Sequence, residues 1–190
     1  MSTRLDKEFF AQETVTVARS LLGVTMSYQG CEGIIVETEA YREDAASHAV
    51  TKPNKGALLR ETYGCIYIFF IYGMYHCLNF TTEKEGVGAV LIRAVEPLRG
   101  IELMKARRGT DEVRNLTNGP GKLFTAFGFD PGLHGEPIAA HIQLRPPAAP
   151  DALEIVSGPR VGISKARHLP WRFFVKGNHF VSRAVSSKRV

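Results

Sequence analysis

Cysteine is scarce: Cys31, Cys65 and Cys77 are the only three in 190 residues, and no two form a CxxC pair. An odd, scattered set offers neither a disulfide frame nor zinc-ligand spacing, so the three read as buried thiols of a reducing cytoplasm. Long apolar runs are missing too. The longest, Cys65 to Tyr75, is about half of the roughly 20 residues a membrane helix needs. No basic stretch followed by an apolar run opens the sequence, so no secretory signal is expected. The chain also lacks a GxSxG nucleophile elbow, a Walker loop and the HxE with PCxxC pattern of zinc deaminases, which removes three common catalytic frames.

Acid runs out before the chain does. After Glu154 the last 36 residues hold no Asp or Glu but carry Arg160, Lys165, Arg167, Arg172, Lys176, Arg183, Lys188 and Arg189. The first 154 residues hold 16 cations against 19 acids, a net of −3. A segment of one sign suggests an anionic partner, nucleic acid before a membrane surface or an acidic metabolite. A solvated basic tail accounts for the charge equally well.

What is present is ordinary for a soluble globule: 44% hydrophobic and 23% charged residues, with a mean hydropathy of −0.08. A mass of 21.0 kDa fits one domain, residues 1–190 with the basic segment 155–190 inside it, able to bury roughly 70% of its extended surface. Helical spacing over residues 8–22 puts Phe9 or Phe10, Val15, Ala18 and Leu22 on one stripe, with Gly23 at the C-terminal cap. Residues 24–28, a Gln29-Gly30 turn and residues 31–41 predict two paired strands. Residues 42–64, polar and broken by Pro53, Gly56 and Gly64, predict a long loop of functional use.

Residues 65–80 are dense in aromatic and β-branched side chains and break once, at Tyr72-Gly73-Met74, which predicts a hairpin. Residues 86–94 predict another strand and residues 97–108 a short helix. Gly119-Pro120-Gly121-Lys122 starts a further helix that Gly128 ends. Residues 131–150 are loop-rich with five prolines, and residues 172–175 with 180–182 predict a closing hairpin. The mixture predicts an α+β fold around a mostly antiparallel sheet.

Several residues could carry chemistry. Period-two geometry puts Glu37, Glu39 and Tyr41 on one face of their strand. Carboxylates in an apolar strand are costly unless paired or used, although an isolated Glu-Thr-Glu is more often an exposed, salt-bridged face. His48 alone reads more readily as a structural loop residue than as a functional one. At the 72–74 turn, large aromatic and sulfur side chains flank the only glycine, suiting either a buried hairpin or an apolar wedge that enters a base stack. Asn79 and Arg93 are polar within apolar strands, and the Arg93 guanidinium needs Glu39, Glu37 or Glu96 as partner. The Gly119–Lys122 amides and lysine form either a phosphate seat or a plain helix cap.

Together these segments resemble one family. Val36-Glu37-Thr38-Glu39-Ala40-Tyr41, Ala46-Ser47-His48, Ile71-Tyr72-Gly73-Met74-Tyr75 and Cys77-Leu78-Asn79 are similar to the alkyladenine (3-methyladenine) DNA glycosylases of the mammalian and bacterial type. The likeness continues in order through residues 91–97, Gly119-Pro120-Gly121-Lys122 and Arg160-Val161-Gly162, covering about residues 8–182. It implies a curved sheet surrounded by helices, with a protruding hairpin. It also implies a monofunctional enzyme that hydrolyses alkylated or deaminated purines from double-stranded DNA, as a monomer, without cofactor, metal or membrane. By the same resemblance, Glu39 would activate the water, and Arg93 and the Val161 carbonyl would help hold it. Tyr41, His48 and Phe69 would enclose the flipped base, and Asn79 would crowd the guanine 2-amino group. Tyr72 would fill the vacated stack with Met74 beside it, and Arg108 and Lys122 would contact phosphates.

Two departures stand out. Position 69 is Phe where the mammalian enzyme has tyrosine, and the loop from Tyr41 to His48 is two residues shorter. Two other classes stay open on the residues alone: a non-catalytic damaged-DNA-binding module, and a formyltransferase-like or sugar-processing enzyme. Release of free base separates all three.

Overall fold

The computed structural model describes residues 4–54, 56–71, 73–147 and 152–182. Its strands are β1 (Thr25–Tyr28), β2 (Cys31–Tyr41), β3 (Ile66–Ile71), β4 (Tyr75–Thr82), β5 (Gly88–Arg99), β6 (Gln143–Arg145), β7 (Ile155–Gly158) and β8 (Arg172–Val175). Helices α1 (Thr14–Ser20), α2 (His48–Thr51), α3 (Leu58–Glu61), α4 (Ile101–Arg108), α5 (Pro120–Phe127) and α6 (Ile138–His141) surround them. The strands form one open, curved, antiparallel sheet in the order β3-β4-β5-β2-β1-β6, with β8 pairing both β2 and β7. The α+β architecture expected from the sequence is the one observed.

The core lies where the sheet meets α1 and α5. Phe10, Phe80, Phe127, Leu21, Ile35 and Ile92 are completely buried. Truncating an aromatic such as Phe80 to Ala would cost about 3–5 kcal/mol through lost transfer energy and the cavity left behind. The 11 residues of β2 form the spine of the sheet. Residues 31–34 pair with β1 and residues 37–39 with β8, while the opposite edge runs along β5. Both edges of the Glu37–Glu39 stretch are therefore closed, and no side chain there reaches solvent.

Local chemistry moved several boundaries. The single helix expected over 8–22 is a 3-10 turn, Lys7–Ala11, followed by α1. Asp6 accepts from Phe9 N–H at 3.2 Å and Glu13 from Thr16 N–H at 3.0 Å, so two caps start two short elements. The expected loop 42–64 contains α2 and α3. Residues 97–99, expected in a helix, extend β5. Pro97 has no N–H for the ladder, but it sits beside an irregularity where pairing with β2 skips Leu98. The partner of β8 is β7, not residues 180–182, which instead run toward Glu37. Cys31 and Cys77 are buried thiols, whereas Cys65 is only half-buried, at an isolated bridge to Pro137.

Candidate active site

Glu37 and Glu39 share a face of β2 as the period-two pattern required, and neither is exposed at all. The open, salt-bridged face that an isolated Glu-Thr-Glu favours is not what forms, because Arg93, Val161, Arg172 and Ser182 close over the two carboxylates. Arg93 supplies the compensating charge. Pairing of β2 with β5 skips Val36 on one strand and Arg93 on the other, and such bulges re-aim side chains. Arg93 donates through Nε to Glu37 Oε1 at 3.0 Å and pairs through Nη1 with Glu39 Oε1 at 3.3 Å. Burial disfavours the Arg93 charge, but Glu39 and Glu37 outweigh that and raise its pKa above the ordinary value.

Three groups hold the Glu39 carboxylate. Oε1 accepts the Val161 N–H at 2.7 Å in addition to the Arg93 contact, and Oε2 accepts the Tyr41 hydroxyl at 2.8 Å. An ionised carboxylate has about four acceptor positions, so among the described residues Oε2 keeps one to offer. Desolvation, reinforced by Glu39, pushes the Tyr41 phenol well above its ordinary pKa, so it stays a donor. Arg160 anchors this corner. It donates to the Ala40 carbonyl at 2.9 Å, grips Asp44 at 2.7 and 3.0 Å, and lies 4.6 Å from the Tyr41 ring centroid. Although burial works against the Asp44 charge, Arg160 holds its carboxyl below the usual range.

In front of Glu39 opens a cavity of about 200 Å³, several times the roughly 30 Å³ share of one water. Tyr41, Arg93 and Val161, the three partners of Glu39, line it, together with His48, Phe69 and Asn79. Glu39 itself lines no part of it and meets it through these three partners. The resemblance named six of these residues, and folding brings all six to one cavity. Ser47 caps α2 by accepting the Ala49 N–H at 3.3 Å, and His48, the next residue, lines the cavity. The His48 ring centroid lies 3.7 Å from that of Phe69, and Nδ1 is 3.1 Å from the Tyr67 hydroxyl. Asn79 is fixed by donating from Nδ2 to the Tyr67 and Cys77 carbonyls at 3.0 and 3.2 Å. Burial raises the Tyr67 phenol to about 12 and the Cys77 thiol to about 11, so both remain protonated near neutrality.

Beside the cavity the β3–β4 hairpin leaves the core. Ile66 to Phe69 are buried, whereas Phe70, Met74 and Tyr75 are exposed, Met74 at 67%. Gly73 turns the chain at φ +67°, a conformation in which a Cβ would be strained. Next to the turn, where it pairs with Ile71, Tyr75 packs so closely on α5 that a Cβ at Gly121 would come within 3.0 Å of its ring. Tyr72 lies outside the described residues. A second groove shares Arg93 and Pro120 with the cavity and carries Arg114 and Lys122. Lys122 Nζ donates to Asn118 Oδ1 at 2.8 Å, and burial, aided by Arg108, depresses its pKa. Arg108, at the end of α4, is half-buried.

Sequence reasoning passed over Tyr67, which looked like one more apolar strand residue, and Arg160, whose partner Asp44 lies 116 positions away. Ser182 and Arg172 carried no local signal. Both reach Glu37 only through the fold.

Residues 8–179 match the family model described as methylpurine-DNA glycosylase (MPG). The chain is 44% identical to a protein of Nitrosospira multiformis over 92% of this chain and 91% of that one. It is likewise 44% identical to one from Methanoculleus marisnigri, over 94% and 98%, and 41% identical to one from Rhodopseudomonas palustris, over 94% and 90%. All three carry the provisional name 3-methyladenine DNA glycosylase. With a buried carboxylate behind an aromatic cavity, and a family match over nearly its whole length, the chain belongs to the methylpurine-DNA glycosylase family.

Proposed function

We propose that this glycosylase removes alkylated and deaminated purines (3-methyladenine, 7-methylguanine, hypoxanthine and ethenoadenine) by flipping the base and attacking its glycosidic carbon with water activated by Glu39. The observation that carries the reading is the carboxylate buried behind the cavity, held by Tyr41, Val161 and Arg93, with one acceptor position left on Oε2. A purine inside a duplex is unreachable, so it must be extruded, and damaged or mispaired bases cost least to unstack. Tyr72 fills the gap and Met74 wedges beside it, offsetting a few kcal/mol of lost stacking.

In the cavity Tyr41, His48 and Phe69 offer π faces that favour an electron-poor or cationic base. Asn79, immobilised by two carbonyls, excludes the guanine 2-amino group. As the glycosidic bond breaks, positive charge builds on the sugar, as in glycoside hydrolysis. Glu39 stabilises that charge and takes the proton of the water, while Arg93 and the Val161 carbonyl orient it. Arg108 and Lys122 contact phosphates. The enzyme works as a monomer on the chromosome in the cytoplasm and leaves an intact strand with an abasic site.

The test is incubation of the whole protein with duplexes carrying each lesion, followed by chromatography of released bases and borohydride trapping. Free base and an unbroken, unadducted strand are expected. No released base from any of the four duplexes overturns the proposal, and a trapped protein–DNA adduct overturns the water mechanism.

A further inference from the structure

Glu37, like Glu39, is fully buried and lines no part of the cavity. Its carboxylate is nonetheless saturated. Oε1 accepts Arg93 Nε at 3.0 Å, Arg172 Nε at 2.7 Å and the Ser182 hydroxyl at 2.9 Å, and Oε2 accepts the Ser182 N–H at 2.7 Å. The same partners hold one another. Arg93 Nη2 donates to Ser182 Oγ at 3.2 Å, and Arg172 Nη2 to the Ser182 carbonyl at 3.1 Å. Every nitrogen of Arg93 thus has an address: Nε on Glu37, Nη2 on Ser182, and only Nη1 on Glu39. Two carboxylates and two guanidiniums make the node electrically neutral.

A guanidinium facing a single carboxylate settles bidentately, one N–H on each oxygen. In such a pose Arg93 would occupy Glu39 Oε2, the oxygen that carries only the Tyr41 hydroxyl. We propose that Glu37 is a positioning residue for hydrolysis: with Ser182 it draws the Arg93 guanidinium aside, so that Glu39 Oε2 stays free to accept the water. The inference rests on the reading of Glu39 as the base. It gives the Glu37–Ser182 clasp, which links positions 145 residues apart, a role in the chemical step and not only in tethering the chain.

Glu37→Gln breaks this arrangement while keeping volume. It leaves two guanidiniums against one carboxylate, and Arg93 turns toward Glu39. The single-turnover rate of base release is expected to fall about 10- to 100-fold, with affinity for an abasic-analogue duplex unchanged within about twofold. The deciding measurement is a double-mutant cycle. In an Arg93→Gln background, Glu37→Gln should cost less than about twofold further, because the group it restrains is gone; effects that multiply overturn the inference. If Glu37→Gln fails to fold, Ser182→Ala decides. It removes the hydroxyl between Glu37 and Arg93 without changing charge and should slow release about 3- to 10-fold, whereas native rates overturn the role. Glu39→Gln separates the two levels. Its inactivity beside a fully active Glu37→Gln would sink the positioning role alone, and its full activity would sink the reading of the site as well.

Discussion

Two neighbouring regions reverse the usual distribution of polarity. The Glu37–Glu39–Arg93–Arg172 node puts four charged groups where solvent barely reaches, and the β3–β4 hairpin holds Phe70, Met74 and Tyr75 out in solvent. Each arrangement is unfavourable by itself, since isolated buried charge and exposed contiguous apolar surface both lack compensation. The node is compensated internally, by salt bridges and by hydrogen bonds to Ser182. The hairpin is supported on one side, where Tyr75 packs on α5 and the His76 ring lies 4.7 Å from Phe70 and 5.2 Å from Phe124, while Met74 stays open to solvent. Under the function proposed above, the contrast separates chemistry from recognition: the buried charges would hold a reacting geometry, and the exposed apolar tip would enter a surface.

Substitutions should separate the two regions. The largest effect is expected on stability. Arg172→Leu strips Glu37 of one cation, and removing one partner of a buried pair costs about 3–5 kcal/mol. Met74→Ala, at an exposed tip, should stay within about 0.5 kcal/mol in the same urea titration. A mild Arg172 variant would show that the node is not a tight unit. The hairpin should answer in binding instead: Met74→Ala is expected to weaken lesion-duplex affinity about tenfold with an unchanged salt slope, a stacking loss of about 1–2 kcal/mol. A smaller change is expected for Asn79→Ala, which should raise excision of guanine relative to hypoxanthine severalfold in a competition assay.

The smallest effect concerns Lys122. Burial and Arg108 depress its pKa, so the phosphate contact proposed for it should be present at neutral pH and be lost as pH rises, earlier than for an ordinary lysine. Lys122→Arg should keep affinity level across that alkaline range. Lys122→Gln should reduce the salt slope by about one, measurable by fluorescence anisotropy.

Much of this was legible in the chain because it is local. Strand periodicity placed Glu37, Glu39 and Tyr41 on one face, and the Gly119–Lys122 and Gly128 signals bounded α5 as observed. Arg93 was recognised as needing a carboxylate, and it takes two. What stayed hidden depends on distant partners. Nothing near Ser182 tells that its N–H will meet Glu37, and nothing in residues 155–158 says they will pair with β8 in place of residues 180–182. The Glu13 cap was visible as a residue, yet the apolar stripe across it suggested one continuous helix. Side-chain hydrogen bonds overrode periodicity there.

The central claim is that Glu39 performs the chemical step and does not merely help fold the site. Its most direct test is the single-turnover release of hypoxanthine from a defined duplex by Glu39→Gln, set beside that variant's affinity for an abasic-analogue duplex. Glutamine keeps the shape and an acceptor oxygen but cannot take the proton of a water. The rate is expected to fall about 10²- to 10⁴-fold while affinity stays within about threefold. Release at a rate near that of the parent protein would contradict the account.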